Sequence, residues 1–192
     1  MNELFLTSDF HFCHQQPFCY EPRGFSSAEE MNEKIIENFN SIVQETDDVY
    51  FLGDLMLNDT EAGLAAAARL KGRWHIVLGN HDTLTRAERY KELPNVVDIC
   101  YANVIKYGKF HFYLSHYPTL TGNDKEGLWR NILNLYGHTH QETPFSPYSP
   151  YMYNVGVDAH NCMPVHLDQV LADMKFNYDA LKEYEQNYPI EK

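Results

Sequence analysis

Five short apolar runs, each followed by residues able to bind a cation, constrain this chain more than any other feature. They are Leu4-Phe5-Leu6-Thr7, Val49-Tyr50-Phe51-Leu52, His75-Ile76-Val77-Leu78, Tyr113-Leu114 and Ile132-Leu133-Asn134-Leu135-Tyr136. Continuous apolar runs of this length suit strands buried on both faces. Between the first two, Ser27 to Val43 predicts a helix: Ser27 and Glu30 match a capping box, and Met31, Ile35, Phe39 and Ile42 recur at helical spacing. Asn58 or Asp59 can cap a second helix through Leu70, and Thr83 to Lys91 reads as a third. Val104-Ile105 and Phe110 to Leu114 flank a glycine turn at Lys106-Tyr107-Gly108-Lys109, which favours a hairpin. Met152 to Val157 reads as a further strand, and Leu167 to Lys175 as a helix followed by a polar helical tail from Asp179. Pro144, Pro147 and Pro150 mark an irregular loop. The pattern is α/β, with helices concentrated in the first half and strands in the second.

The residues after the runs carry the chemistry. Asp9-Phe10-His11 follows the first, Gly53-Asp54 the second and Gly79-Asn80-His81-Asp82 the third; His116 and then Gly137-His138-Thr139-His140 follow the last two. Residues at i and i+2 point to one side of a fraying strand, so Asp9 with His11, and His138 with His140, can each face a common ion. Taken alone, an Asp-x-His is commonly a surface or capping pair, a strand-end histidine a hydrogen-bonded polar residue, and a Gly-Asp a turn. Ligands in open α/β sheets gather beyond the carboxyl ends of strands, so it is the convergence of all five groups that points to a site.

Composition narrows the partners. A formal charge of -12 disfavours extended nucleic-acid binding, because an acidic surface repels a polyanion. A length of 192 residues suits a single domain over residues 1–192. No stretch is apolar enough to span a membrane and the N-terminus lacks a secretory pattern, so a cytoplasmic protein is expected. Cys13, Cys19, Cys100 and Cys162 have neither zinc-site spacing nor disulfide density and are expected to be reduced thiols.

The set of motifs resembles the calcineurin-like metallophosphoesterase superfamily, whose signatures run D-x-H, GD, GNH[DE], an isolated H and GH-x-H in chain order. All of them occur here from Asp9 to His140, and the string Asn154-Val155-Gly156-Val157-Asp158 extends the resemblance further. It implies a two-sheet β-sandwich flanked by helices. It also implies two divalent cations, one held by Asp9, His11 and His140 and the other by Asn80, His116 and His138, with Asp54 bridging. This ligand chemistry suits Mn, Fe, Zn or Ni. The implied reaction is hydrolysis of a phosphate ester by a metal-bridging hydroxide, with the ions about 3.5 to 4 Å apart and His81, free of metal, protonating the leaving oxygen. A phosphodiesterase acting on a small nucleotide-like ester is the favoured reading; a phosphomonoesterase, a nuclease and a non-catalytic protein-binding scaffold are the alternatives. The phosphoprotein-phosphatase branch carries GDxxDRG, in which a second aspartate supports the catalytic histidine; Leu57 stands at that position here, which leaves the group orienting His81 unassigned.

Asp82 either orients His81 or caps the helix starting near Thr83, the commoner use of such an aspartate. Phe12, His14, Tyr20 and Arg23 lie in the loop after the first motif, where a cation can meet a phosphate and rings can stack on a base or sugar. A surface ion pair with satellite packing is the alternative. Tyr117-Pro118 can close another wall, with Pro118 simply ending the strand as the alternative, and His160 and Asn161 can stand behind the ligands, though a structural place is the commoner reading. His75, His111 and His166 are expected to be structural.

Overall fold

A computed structural model of the chain describes residues 2–122 and 125–187. Strand β1 (Leu4–Thr7) is followed by the short helix α1 (Pro17–Tyr20), α2 (Ala28–Ile42), β2 (Asp48–Phe51), α3 (Thr60–Ala67), β3 (Arg73–Val77), α4 (Leu84–Tyr90) and β4 (Val96–Cys100). Then come β5 (Ala102–Tyr107), β6 (Phe110–Ser115), β7 (Ile132–Tyr136), β8 (Met152–Asn154), β9 (Val165–His166) and α5 (Leu167–Asn187). The strands form two sheets, ordered β4-β3-β2-β1-β9 and β5-β6-β7-β8. In the first, β1 to β4 run parallel, because a helix carries the chain back between each pair, and β9 closes the edge antiparallel. In the second, β5 and β6 make the expected hairpin and β6, β7 and β8 run parallel.

Alternation along the strands divides the core. Phe5, Phe51, Trp74 and Ile76 face Met31, Ile35, Phe39, Leu64 and Tyr90 of the helices. Leu6, Leu52 and Val77 face Phe112, Leu114, Leu133, Leu135 and Tyr153 of the second sheet. The central strands are therefore covered on both sides, which is why their sequences read as unbroken apolar runs. Helix α5 joins this second core through Leu167, Val170, Met174 and Tyr178 and packs against β1, β8 and β9. The result is two mixed sheets flanked by helices.

Local details differ from expectation in instructive ways. Ser27 caps α2 by accepting from Glu30 N–H, but the Glu30 carboxylate accepts from the N–H and hydroxyl of Ser26, so the reciprocal half of the box is displaced by one residue. Asp59 rather than Asn58 caps α3, which stops at Ala67. Met152 to Val157 splits into β8 and a 3₁₀ turn, Val157–His160, and α5 is continuous where two segments were expected. Strand β4 has no counterpart in the sequence reading: it is an edge strand whose residues are half-exposed or exposed, so no apolar run marks it. Among the described residues no helix is long and apolar enough to cross a membrane, and all four cysteines carry free thiols.

Candidate metal centre

The pairing of β1 with β2 continues past both strand ends. Asp9 N–H donates to Gly53 O at 2.9 Å and His11 N–H to Asp54 O at 3.1 Å, so the first two motifs are strapped together. Strand alternation does not explain how their side chains converge. Asp9 (φ 60°), His11 (φ 50°), Asp54 (φ 62°), His138 (φ 69°) and His140 (φ 50°) all lie in the left-handed region. A non-glycine residue there costs on the order of 1–3 kcal/mol and persists only where its surroundings over-determine it. Of the nine non-glycine residues with positive φ among those described, five are prospective ligands, a clustering expected where side chains are held for a common site. The glycines of the motifs serve close approach: a Cβ on Gly79 would collide with the Asp54 carboxylate, and one on Gly137 with the Ser8 hydroxyl and the Asp9 carboxylate.

Two groups of side chains result, Asp9 with His11 and His140, and Asp54 with His116 and His138, each offering ligand atoms within 4.8 Å of one another. His11 Nε2 lies 3.2 Å from His140 Nε2 and 3.9 Å from Asp9 Oδ1. In the second group His116 Nε2 lies 2.9 Å from Asn80 Oδ1. One oxygen joins the groups: Asp54 Oδ2 is 3.8 Å from His11 Nε2 and 3.4 Å from His116 Nε2. The donor set fits divalent cations. His116 Nδ1–H donates to Leu52 O at 2.8 Å and His140 Nδ1–H to Asp158 Oδ2 at 2.8 Å, so each ring turns an Nε2 lone pair inward. Asp9 Oδ2 is taken by the Ser8 hydroxyl and His138 N–H, while Asp9 Oδ1 is buried with no hydrogen-bond partner. Acceptors aimed at acceptors, with a buried carboxylate oxygen left over, are what a cation resolves.

Electrostatics agree. Burial pushes the Asp9 carboxyl above its ordinary value, against the pull of His140 and His116. Burial drives His11 well below the usual imidazole range, so that ring is neutral and ready to ligate. Burial opposes ionisation of Asp54 too, but His116 and the His81 N–H outweigh it and hold the carboxyl down at about 2. In His116 and His140 burial favours the neutral ring, yet Asp54 and Asp9 around the first, and Asp158 and Asp9 around the second, raise the pKa above 6.5. A cation must displace those protons, so loading of the metal-free chain is expected to release protons and to decline as pH falls, beginning above the ordinary imidazole value. Metal content after dialysis across a pH series checks this; loading that stays flat from about pH 8 to about pH 5.5 would contradict it.

Asp82 has neither role considered from the sequence. Thr83 caps α4, and the Asp82 carboxylate instead accepts from Asp54 N–H (2.7 Å), Gly79 N–H (2.8 Å), Leu55 N–H (3.3 Å) and the Tyr90 hydroxyl. It clamps the backbone of the second and third motifs. His81 is oriented through its backbone: its N–H donates to Asp54 Oδ1 at 2.8 Å and its carbonyl accepts from Arg86. Its ring stands edge-on to His11 at 5.4 Å, and among the described residues none hydrogen-bonds the imidazole.

The loop residues sort differently from expectation. Arg23 is not free to meet a phosphate: its side chain, 3% exposed, is paired with Asp158 and donates to the carbonyls of Asp9 and Phe10. The guanidinium is buried rather than on the surface, with the Asp158 carboxylate partly exposed beside it. Phe12 is fully buried, so its ring does not reach a substrate, and Tyr20 packs partly buried against the core and does not line either hollow beside the site. The exposed ring of this loop is Phe18, beside the buried His14. Tyr117 does reach the site, packing on His116 and His138 at 5.2 and 4.7 Å. His160 bonds Asn154 O and the Asn161 carbonyl meets the Asn38 side chain, while Asn161 shares the lining of a hollow with His140. The supporting residues missed from the sequence are Ser8 and Asp158, and the only signal for Asp158 was its place in the Asn154 to Asp158 string.

Comparison with known proteins agrees with this geometry. The chain is 33% identical over 177 residues to an uncharacterized protein of Methanocaldococcus jannaschii, covering 89% of this chain and 90% of that one. It is 26% identical over 184 residues to the gene 66 protein of Mycobacterium phage L5, covering 83% and 88% respectively. Among solved structures, a protein of unknown function from Aquifex aeolicus shares the fold, with a TM-score of 0.69 at 23% identity over 88% of this chain and 98% of that one. The calcineurin-like phosphoesterase superfamily domain matches residues 3–161, nearly the whole described fold, and the chain therefore belongs to that superfamily.

Proposed function

We propose that this protein is a dinuclear-metal phosphodiesterase acting on a small, nucleotide-like phosphate ester. The observation that carries the reading is Asp54, whose Oδ2 lies within 3.8 Å of His11 Nε2 and 3.4 Å of His116 Nε2, as a bridge between two ions requires. When bound, two divalent cations would supply a water of lowered pKa as nucleophile and neutralise charge on the phosphoryl oxygens. Asp9, His11, His140 and Asp54 would hold one, and Asn80, His116, His138 and Asp54 the other. With its Oδ1 turned to His116, Asn80 leaves its amide N–H groups to donate to a phosphoryl oxygen. Tyr117 walls the second group. His81 carries a proton to the leaving oxygen.

A diester is favoured over a monoester by the charge around the site. The Arg23 guanidinium is already neutralised by Asp158, and Lys34, on the rim of a neighbouring hollow, pairs with Glu37 at 2.8 Å. Among the described residues that line these hollows, both cations are already paired, so a phosphomonoester dianion would gain little side-chain charge beyond the metals, whereas a diester monoanion needs less. The charge of -12 favours a small substrate over a nucleic acid in the same way.

The test is turnover of bis-p-nitrophenyl phosphate, p-nitrophenyl phosphate, 2′,3′-cyclic nucleotides and single-stranded DNA after reconstitution with Mn, Fe, Zn or Ni, with chelator abolishing it. His81→Ala should keep its metal and lose at least ~100-fold in turnover, the usual effect of removing a general acid. Unchanged turnover would remove His81 from the mechanism, and no turnover of any ester by the wild type would favour a metal-dependent scaffold.

A further inference from the structure

We infer that the hollow between α1 and His81 is a binding site for a planar aromatic ring on the leaving side of the ester. The inference rests on the phosphoesterase reading above and deepens it. The hollow, of about 300 Å³, is lined by His14, Phe18, Cys19 and Pro22 on one side and by His11 and His81 on the other. A volume of this order holds a small planar group.

Phe18 is its outer wall. The ring is 73% exposed, yet it is held in place: Pro17 begins α1, Cys19 on the same helix is buried, and the edge of His14 meets the Phe18 ring at 5.1 Å and 78°. His14 in turn stands edge-on to His11 at 5.9 Å, so a chain of rings runs from the prospective metal ligands to the exposed phenylalanine. A large apolar ring kept in water beside a reactive site is used for stacking.

The neighbouring hollow is more polar. It shares the wall formed by Pro22, Arg23, Asp158 and His140, but its remaining lining mixes Lys34, Asn38, Glu142 and Asn161 with Phe25, Val157 and Cys162. An apolar ring therefore partitions to the Phe18 side. Because His81 lines that side and protonates the departing oxygen, the ring there belongs to the leaving alcohol. A nucleoside and a phenol share this chemistry.

The experiment uses the metal-loaded protein with adenosine and p-nitrophenol as separate probes. Saturation-transfer NMR should show transfer to the ring protons of both for the wild type and for Phe18→Tyr, and loss of transfer for Phe18→Ala. In parallel, kcat/KM for bis-p-nitrophenyl phosphate should fall about tenfold in Phe18→Ala, the scale of a lost stacking contact, with metal content and melting temperature unchanged. Transfer to adenosine alone would assign the site to nucleosides, and transfer to p-nitrophenol alone to simple aryl groups. Undiminished transfer in Phe18→Ala, or kcat/KM within twofold of wild type, overturns the inference while leaving the esterase reading intact. Ring binding lost in Phe18→Ala from a wild type that hydrolyses no ester would sustain the ring site and sink the esterase reading instead.

Discussion

Asp54→Asn should strip both cations from the protein and reduce phosphodiester turnover by at least about a thousandfold, equivalent to losing the several kcal/mol of charge stabilisation that bound metals supply. The carboxylate is 1% exposed and its two oxygens do different work. Oδ1 accepts the His81 N–H at 2.8 Å, a bond that an asparagine oxygen can keep. Oδ2 faces His11 Nε2 and His116 Nε2, and an amide nitrogen there offers no lone pair to a cation. The backbone of residue 54 remains held, since its N–H still reaches the Asp82 carboxylate at 2.7 Å. The fold should survive while the ions do not. Elemental analysis and circular dichroism on the same preparation read both quantities. Two full equivalents of metal in the folded variant would refute the bridge. Asp9→Asn offers an internal contrast: Asp9 belongs to one group only, so that variant should retain the second ion.

What the sequence made legible was what it writes locally. Each ligand motif is compressed into one to four consecutive positions at a strand end, and a strand buried on both faces announces itself as an apolar run, so the five motifs and the five runs could be read together. The parts that escaped are those whose partners are far apart or whose pattern is weak. Asp158 meets Arg23 across 135 residues, and no local spacing connects them. Asp82 looked like a helix cap because it precedes Thr83, but the peptide N–H groups it serves belong to Gly79, Asp54 and Leu55, two of them on another loop. The convergence of Asp9 and His11 followed from left-handed backbone geometry rather than alternation, a tertiary outcome that the i, i+2 spacing anticipated for a different reason. Phe18 was indistinguishable from Phe12 and Tyr20 until packing buried the first, set the second partly against the core and left Phe18 in water. Edge strand β4 carries no signature because half of its surface faces solvent.

Asp158→Ala should be the most destabilising single change around the site, by about 3–5 kcal/mol, because it leaves a buried guanidinium without its counter-charge. Asp158 accepts from Arg23 Nε at 2.8 Å and Nη2 at 2.9 Å, and from His140 Nδ1–H at 2.8 Å, so one carboxylate serves a structural cation and a prospective metal ligand. Burial opposes its ionisation, but His140 and Arg23 outweigh that and hold its carboxyl well below the ordinary 3.8. With the folded pKa depressed, this stability is present above the ordinary carboxylate value and is lost as pH falls below it towards the folded value. The two roles separate in the double variant Arg23→Met with Asp158→Leu. Replacing a buried ion pair by apolar side chains of similar size recovers most of the stability, yet His140 remains without the acceptor that fixes its tautomer. Metal affinity of the first group should therefore stay about 10- to 100-fold weaker in both the single and the double variant, while the melting temperature returns only in the double. Recovery of affinity together with stability would show that Asp158 acts through the fold alone and does not position His140.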